Sequence, residues 1–127
     1  YLARHGSTPS EIKRRIEKDF GYDLSMSIDD IRPRYSWQGL DGIVSGAICQ
    51  GRVPQAIICG INATGFEDAI RNSISIGGDS DTIGCITGAI AEALYGIPDD
   101  IRTRGIAYLP SPLQDVVLKF EKKYGFK

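Results

Sequence analysis

The amino-acid sequence predicts an all-α protein, and three observations support that class. Apolar residues recur at intervals of three and four in several segments, as one face of a helix requires. Hydroxyl residues followed by proline, at Thr8-Pro9 and Ser111-Pro112, mark helix starts, and glycines follow the apolar runs where helices end. No stretch alternates convincingly between apolar and polar residues, apart from one candidate short strand around "GIVSGAI" at residues 42–48.

The first helix is predicted to begin after Thr8 and to end at Gly21. Thr8 and Glu11 have the spacing of a capping box, and Pro9 suits the first helical turn. The apolar stripe of this helix contains Ile12, Ile16 and Phe20. The next segment, residues 25–46, has no persistent period and is interrupted by prolines and glycines, so we expect an irregular connector there.

Two further helices are predicted between this connector and the glycine pair Gly77-Gly78. Residues 53–64 place apolar side chains on one helical face, with the proline of this segment in the first turn. Thr64 and Glu67 have the spacing of a second capping box, and the helix that follows them continues as far as the glycine pair.

Residues 81–95 are predicted to form a central, buried helix, because between residues 82 and 95 the only charge is that of Glu92. One side of this helix is small enough for another backbone to approach closely; it consists of Gly84, Gly88, Ala91 and Tyr95. A last amphipathic helix is predicted from Ser111 to Gly125. The predicted elements together form a single domain over residues 1–127.

Bulk composition narrows the functional class. The chain has 127 residues, 15 Lys and Arg against 16 Asp and Glu, and 42% hydrophobic residues. This balance favours neither nucleic acid nor an anionic membrane as a partner, and no apolar run approaches the ~20 residues of a membrane span.

Three cysteines without CxxC spacing fit neither a disulfide framework nor a zinc site, so a reducing, cytoplasmic location is expected. The first residues lack the apolar core of a signal peptide and an initiator Met, so the chain is expected to be part of a longer one.

The motif "GGDSDT", residues 77–82, precedes the central helix and contains the main candidate site. Within a regular helix, Asp79 and Asp81 would point about 200° apart and could not share a ligand. If Gly77 and Gly78 form a turn and the helix begins near residue 80, both carboxylates can face one point with the Thr82 hydroxyl beside them. Three oxygen-bearing side chains would then converge at a helix N-terminus.

Two interpretations of this convergence stay open. Asp79 or Ser80 can simply cap the helix, a role worth about 1 kcal/mol. Alternatively, carboxylates and a hydroxyl without sulfur or imidazole suit a hard cation such as Mg²⁺, Mn²⁺ or Ca²⁺. In that case, other ligands must come from water and from another segment. The acidic doublets Asp29-Asp30 and Asp99-Asp100 are candidates, although a solvated turn and a helix cap are the simpler interpretations.

Several other residues have both a structural and a functional interpretation. His5 is expected to be exposed rather than catalytic, and the cysteines Cys49, Cys59 and Cys85 are expected to be packed thiols. Tyr35 and Trp37 could stack an adenine, but packing is the expected role. Arg52 is expected to be a surface charge, with phosphate binding as the alternative.

The segment "GFEDAIRNSISIGGDSDTIGCITGAIAEALYGIP" at residues 65–98 resembles the signature of the ADP-ribosylglycohydrolase family, whose members include the dinitrogenase reductase-activating glycohydrolase. "YLARHGSTPSEIKRRIEKDFGYDL", "IRPRY" and "CQGRVPQAI" resemble successive blocks of the same family. The resemblance covers nearly the whole chain, but only the C-terminal half of the family's pattern. It implies the C-terminal part of an all-α helical bundle that holds two Mg²⁺ or Mn²⁺ ions.

The resemblance also implies an activity and a set of site residues. Family members hydrolyse the glycosidic bond that links ADP-ribose to a protein or another conjugate, which would be the partner of this chain. The motif assigns Asp79, Asp81 and Thr82 as metal ligands, with one carboxylate bridging the two ions, and Gly77 and Gly78 as the turn that shapes the site. Catalytic and substrate-binding residues stay unassigned.

The chain departs from the family's pattern in three respects. The segment from Tyr35 to Cys49 is longer than the family's pattern, with "SWQGLDGIVSGAI" in place of a shorter stretch. The glycine-rich start, the catalytic acid and the Asp-Asp triplet of the family's N-terminal half have no counterpart here, and Arg52 stands where a small hydroxyl residue is usual. We therefore expect little catalysis by the isolated chain, an apolar face of the 81–95 helix left open, and completion by the missing half or by a second copy. The alternative hypothesis is a truncated, non-catalytic relative that acts as a binding or assembly module.

Overall fold

The computed structural model describes residues 1–43 and 48–125 and confirms the predicted all-α class. About two thirds of the structure is helical, and the one sheet among the described residues has two very short strands. The elements in chain order, after a 3₁₀ turn at Ala3–His5, are α1 (Pro9–Phe20), α2 (Ile28–Ile31), β1 (Tyr35–Ser36), β2 (Gly39–Leu40), α3 (Cys49–Ile61), α4 (Phe66–Ser75), α5 (Ser80–Tyr95), α6 (Asp99–Ala107) and α7 (Ser111–Tyr124).

Helix α1 forms for the reasons that its sequence predicts. The Thr8 hydroxyl accepts a hydrogen bond from the backbone N–H of Glu11, and the Glu11 carboxylate accepts one from the backbone N–H of Thr8 at 2.8 Å, which completes the capping box. Gly21 ends the helix in the left-handed conformation at φ 69°.

The segment predicted to be an irregular connector contains three short elements. Ser27 and Asp30 form a second reciprocal capping box, which starts the one-turn helix α2. Strands β1 and β2 then pair antiparallel, with Tyr35 opposite Leu40. The prediction was therefore wrong for α2 and the hairpin, whereas most of the candidate strand at 42–48 lies at residues 44–47, outside the described ranges.

Helices α3 and α4 begin at other residues than predicted. Helix α3 starts at Cys49 rather than near residue 53, so Pro54 lies inside it and cannot donate to the carbonyl of Gln50. Gln50 is exposed, so water can hydrate that carbonyl. The expected capping box of α4 was also wrong, because the backbone and hydroxyl of Thr64 donate to Asp68 at 2.8 and 3.1 Å instead.

Helix α5 packs against α3 and α4 through the predicted small residues. A Cβ atom at Gly88 would lie 3.4 Å from Cδ1 of Ile70 on α4. Across the α3 contact, a Cβ atom at Gly60 would lie 3.0 Å from Cγ2 of Ile90. The buried apolar core is formed by Ile12, Leu24, Ile31, Tyr35, Ala56, Ile57, Ile58, Cys59, Ile61, Ile76 and Ile83.

Side-chain hydrogen bonds also fix α5 against α3. The fully buried Thr87 hydroxyl donates to the carbonyl of Ala56 at 3.0 Å, and the Tyr95 hydroxyl lies 3.0 Å from the carbonyl of Gly60. On the side of α5 away from these contacts, Asp81, Cys85 and Ala89 are exposed at successive turns. The hydrogen bonds and apolar contacts on the other side of α5 thus fix this helix, including its N-terminal end, against α3.

The chain divides into two compact units, residues 1–95 and residues 96–127. The second unit contains α6 and α7, which are joined by an ion pair between Arg102 and Glu121. Asp99 and Asp100, expected as a cap, form the first turn of α6. The assignment of residues 1–127 to a single domain stays a prediction. None of the helices in the described part of the chain is long and apolar enough to cross a membrane.

Candidate functional site

The candidate site is formed where the chain turns from α4 into α5. Gly77 and Gly78 both have positive φ, at 76° and 67°, a conformation that glycine adopts without steric cost. The carbonyl of Asp79 accepts the first hydrogen bond of α5 from the N–H of Ile83 at 3.0 Å. Asp79 therefore lies at the N-cap position, outside the helical repeat that would separate it from Asp81.

Gly78 also packs against the β1–β2 hairpin. A Cβ atom at Gly78 would lie 2.5 Å from Cε1 of Tyr35 and 3.0 Å from the carbonyl oxygen of Ser36. Tyr35 is buried, and its hydroxyl donates to the carbonyl of Gly51 in α3 at 3.0 Å. The turn before α5 is thus fixed in position by contacts that only a glycine allows.

The two carboxyl groups and the hydroxyl of the motif lie together. Hydrogen bonding with the Asp81 carboxyl group holds the pKa of the Asp79 carboxyl below its ordinary value; burial opposes this shift, and hydrogen bonds from Thr82 and the charge of Arg52 add to it. Asp81 in turn accepts a hydrogen bond from the backbone N–H of Thr82 at 2.9 Å. The motif predicts that Asp79, Asp81 and Thr82 face one point, and their role as a common set of ligands stays a prediction.

The three side chains differ in their access to solvent. Asp79 is buried, Thr82 is half-buried and Asp81 is exposed. An anionic cap at the N-terminus of a 16-residue helix is favoured by the helix dipole, so the capping interpretation of Asp79 fits the geometry. Of the three side chains, Asp81 is therefore the most accessible from solvent.

Arg52 also belongs to this site, through a contact with Asp79 that the sequence does not predict. It lies in the first turn of α3 and forms an ion pair with Asp79 through Nη1 and Oδ2. The expectation of a surface charge was wrong, because the Arg52 side chain is only 16% exposed. The one available signal was its replacement of a small hydroxyl residue in the block "CQGRVPQAI".

The aromatic residues of the hairpin have different environments. Tyr35 is buried, as expected, but Trp37 is 61% exposed, so the expectation that it packs was wrong. The guanidinium carbon of Arg52 lies 5.5 Å from the centre of the Trp37 ring, a cation–π geometry. Both aromatic residues thus approach the charged groups at the start of α5.

The acidic doublets considered as further ligands are engaged elsewhere. Asp29 forms an ion pair with Arg32 at 2.7 Å, and Asp30 caps α2 through Ser27. Asp100 pairs with Arg104 within the second compact unit. In the part of the chain that the structure describes, no group of three or more His, Cys, Asp or Glu side chains could hold a metal ion.

The remaining candidate residues lie outside this cluster. His5 is exposed, as expected, and its Nδ1 lies 2.8 Å from the carbonyl oxygen of Tyr1. Cys59 is buried, whereas Cys49 and Cys85 are exposed, so the expectation of packed thiols was wrong for those two.

The donor set at the start of α5 fits a hard cation. It consists of two carboxyl groups and one hydroxyl, without sulfur or imidazole, and such oxygen donors suit Mg²⁺ and Mn²⁺. Asp79, Asp81 and Thr82 would hold such an ion, with Arg52 beside them as a fixed positive charge. The molecule is therefore a helical protein with a set of oxygen donors at the N-terminus of its central helix.

The amino-acid sequence was compared with those of known protein families and proteins. The sequence profile of the ADP-ribosylglycohydrolase family matches residues 2–122, so the chain belongs to this family. The chain is also similar to the ADP-ribosylhydrolase ARH3 of Danio rerio, with 58% identity over 33 residues. That match spans 26% of this chain and 9% of the zebrafish protein. No solved structure matches the chain.

Proposed function

We propose that the chain forms one wall of the catalytic site of a divalent-cation-dependent hydrolase, which releases ADP-ribose from modified proteins or related conjugates. Family membership supports the general activity. The observation that carries the cation dependence is the cluster of two carboxyl groups and a hydroxyl at the start of α5. The proposed ion is Mg²⁺ or Mn²⁺, and the proposed location is the cytoplasm.

Each residue of the cluster has a distinct proposed role. Asp79 is positioned by the turn and by its N-cap geometry, so its carboxylate is already oriented before a ligand binds. Asp81 presents its carboxylate to solvent, and Thr82 adds a neutral oxygen. A bound divalent cation supplies Lewis-acid polarisation of a substrate oxygen, which favours cleavage of a glycosidic bond.

Two carboxylates and a hydroxyl give fewer ligands than Mg²⁺ requires, since it demands octahedral coordination. We propose that the remaining ligands come from water and from another polypeptide segment, either a further part of the protein or a second copy. Turnover by the 127-residue chain alone should then be low. Specificity for the linkage, whether to arginine, serine or another group, would depend on that additional segment.

The proposal can be tested by cation binding and thermal unfolding. Addition of Mn²⁺ or Mg²⁺ should raise the Tm of the chain, and EDTA should reverse this rise, because a ligand that binds only the folded state stabilises it. Asp81→Asn should abolish the rise. Asp115→Asn is the matched control, because it makes the same chemical change at an exposed aspartate of α7. An equal response to cations in Asp81→Asn and in the wild type would contradict the proposal.

A second candidate function is a non-catalytic binding or assembly module. The observation in its favour is the ion pair between Arg52 and Asp79, which neutralises one of the proposed ligands. A stable oligomer with a Tm indifferent to cations and EDTA would support this function over the hydrolase.

A further inference from the structure

The ion pair between Arg52 and Asp79 joins α3 to the start of α5, and it adds to the apolar packing and hydrogen bonds that hold these two helices together. Arg52 belongs to the first turn of α3, and Asp79 caps α5. Their side chains are 16% and 9% exposed, so the pair is largely shielded from water, which strengthens the interaction between the charges. The guanidinium of Arg52 therefore occupies one side of the Asp79 carboxylate, at oxygen Oδ2.

One nitrogen of the Arg52 guanidinium has no hydrogen-bond acceptor among the described residues. Its Nε is buried, and no acceptor in the described ranges reaches it. Among the described residues, the ion pair with Asp79 is the charged contact that accounts for the position of the guanidinium. The residue thus acts mainly as a positive charge beside a carboxylate.

This geometry creates a competition for Asp79. A divalent cation bound by Asp79, Asp81 and Thr82 would lie close to the guanidinium, and the two positive charges would repel each other in a partly dehydrated place. Because Oδ2 of Asp79 already faces Nη1 of Arg52, a cation that uses this oxygen has to displace the arginine. Binding of the cation and the ion pair are therefore linked, and each must weaken the other.

We propose that Arg52 is a built-in counter-ion that competes with the divalent cation for Asp79, so that the chain binds the cation weakly until the arginine is displaced. This inference rests on the proposed function, because it concerns the same cation site. Trp37 already contacts the guanidinium, because its exposed ring lies 5.5 Å from the guanidinium carbon. Arg52 could then keep a cation–π contact after the ion pair with Asp79 has broken.

The test is a titration of the full chain with Mn²⁺, with free Mn²⁺ measured by electron paramagnetic resonance. Arg52→Met removes the charge and keeps an apolar stem of similar length, and it should lower the Kd for Mn²⁺ about tenfold or more, within the usual range for coupled sites. Arg52→Lys keeps the charge, so its Kd should stay near that of the wild type. Arg71→Met is the matched control, because Arg71 also pairs with a carboxylate but lies exposed on α4, and it should leave the Kd unchanged.

The outcomes separate this inference from the proposed function. Equal Kd values for Arg52→Met and the wild type, with binding that still requires Asp81, would overturn the competition and leave the cation site in place. An equal gain in Arg52→Lys and Arg52→Met would also overturn it, because charge would not be the cause. Absence of Asp81-dependent Mn²⁺ binding in every variant would overturn both. Circular dichroism verifies the fold, and Arg52→Gln replaces Arg52→Met if the latter does not fold.

Discussion

Substitution of Gly78 by alanine tests whether the turn before α5 depends on a glycine. A methyl group at this position would lie 2.5 Å from Cε1 of Tyr35 and 3.0 Å from the carbonyl oxygen of Ser36. The ring cannot move freely, because Tyr35 is buried and its hydroxyl bonds to Gly51 at 3.0 Å. Alanine at Gly78 should therefore displace either the hairpin or the start of α5.

The cost of this substitution has two parts. A non-glycine residue in the left-handed region costs roughly 1–2 kcal/mol. Forcing an extra methyl group into a packed site typically costs about 1–3 kcal/mol. The sum, about 2–5 kcal/mol, is a large part of the roughly 5–15 kcal/mol by which domains are stable.

Gly77→Ala is the matched control for the backbone contribution. Gly77 has φ 76°, close to that of Gly78, but a Cβ atom there would have no neighbour within 4 Å. It should lose only the backbone part, so the urea midpoint of Gly78→Ala should be lower than that of Gly77→Ala by about 1 M, given slopes of about 1–3 kcal/mol/M. Equal midpoints for the two variants would refute the close packing of Gly78 against Tyr35.

Two further predictions concern titratable groups. Burial raises the pKa of the Cys59 thiol to about 12. At pH 8, a maleimide should therefore label the exposed Cys49 and Cys85 quickly and Cys59 only after unfolding. Mass spectrometry of the labelled peptides measures this order, and early labelling of Cys59 would contradict its burial. Hydrogen bonds from the backbone and side chain of Thr8 hold the pKa of Glu11 below its ordinary value of 4.5. The ionised Glu11 therefore stabilises the folded state fully above pH 4.5, and this stabilisation is lost as the pH falls through the pKa that Glu11 has in the folded state. Glu11→Gln keeps an acceptor that does not titrate, so its urea midpoint should fall less on acidification than that of the wild type, and identical acid profiles would refute the role of Glu11.

The sequence predicted those helices whose start signals and apolar stripes agree. Helix α1 has both a capping box and a stripe, and Gly21 ends it as predicted. Helix α5 could be predicted because nearly every residue in it is apolar or small. In both helices, the signals that determine the boundaries lie within the segment itself, so no tertiary contact is needed to read them.

Other elements could not be predicted because their local signals are short or ambiguous. Helix α2 has a single turn, and its capping box at Ser27 and Asp30 was read as a solvated turn. Helix α6 has only two large apolar residues, Ile101 and Ile106, too few for the apolar stripe on which the helix predictions relied. The early start of α3 before Pro54 is tolerated because it deprives only the exposed Gln50 of its hydrogen-bond partner.

In the candidate site, too, the residues within one short motif could be predicted, and the residue from a different helix could not. Asp79, Asp81 and Thr82 form one contiguous motif, and the glycine pair before them signals the turn that brings them together. Arg52 comes from a different helix, and its contact with Asp79 exists only because α3 packs against α5. Local sequence patterns contain no information on such a contact.

Arg52 changes the interpretation of the motif itself. The sequence alone presents Asp79 and Asp81 as equivalent carboxylates, but the structure pairs the buried one with an arginine and leaves the exposed one open to solvent. If both bind one cation, the exposed carboxylate can make the first contact without breaking an ion pair, and the buried one can follow only when its pair with Arg52 breaks. The affinity of the site for a cation should then depend on Arg52, a residue that is not itself a proposed ligand.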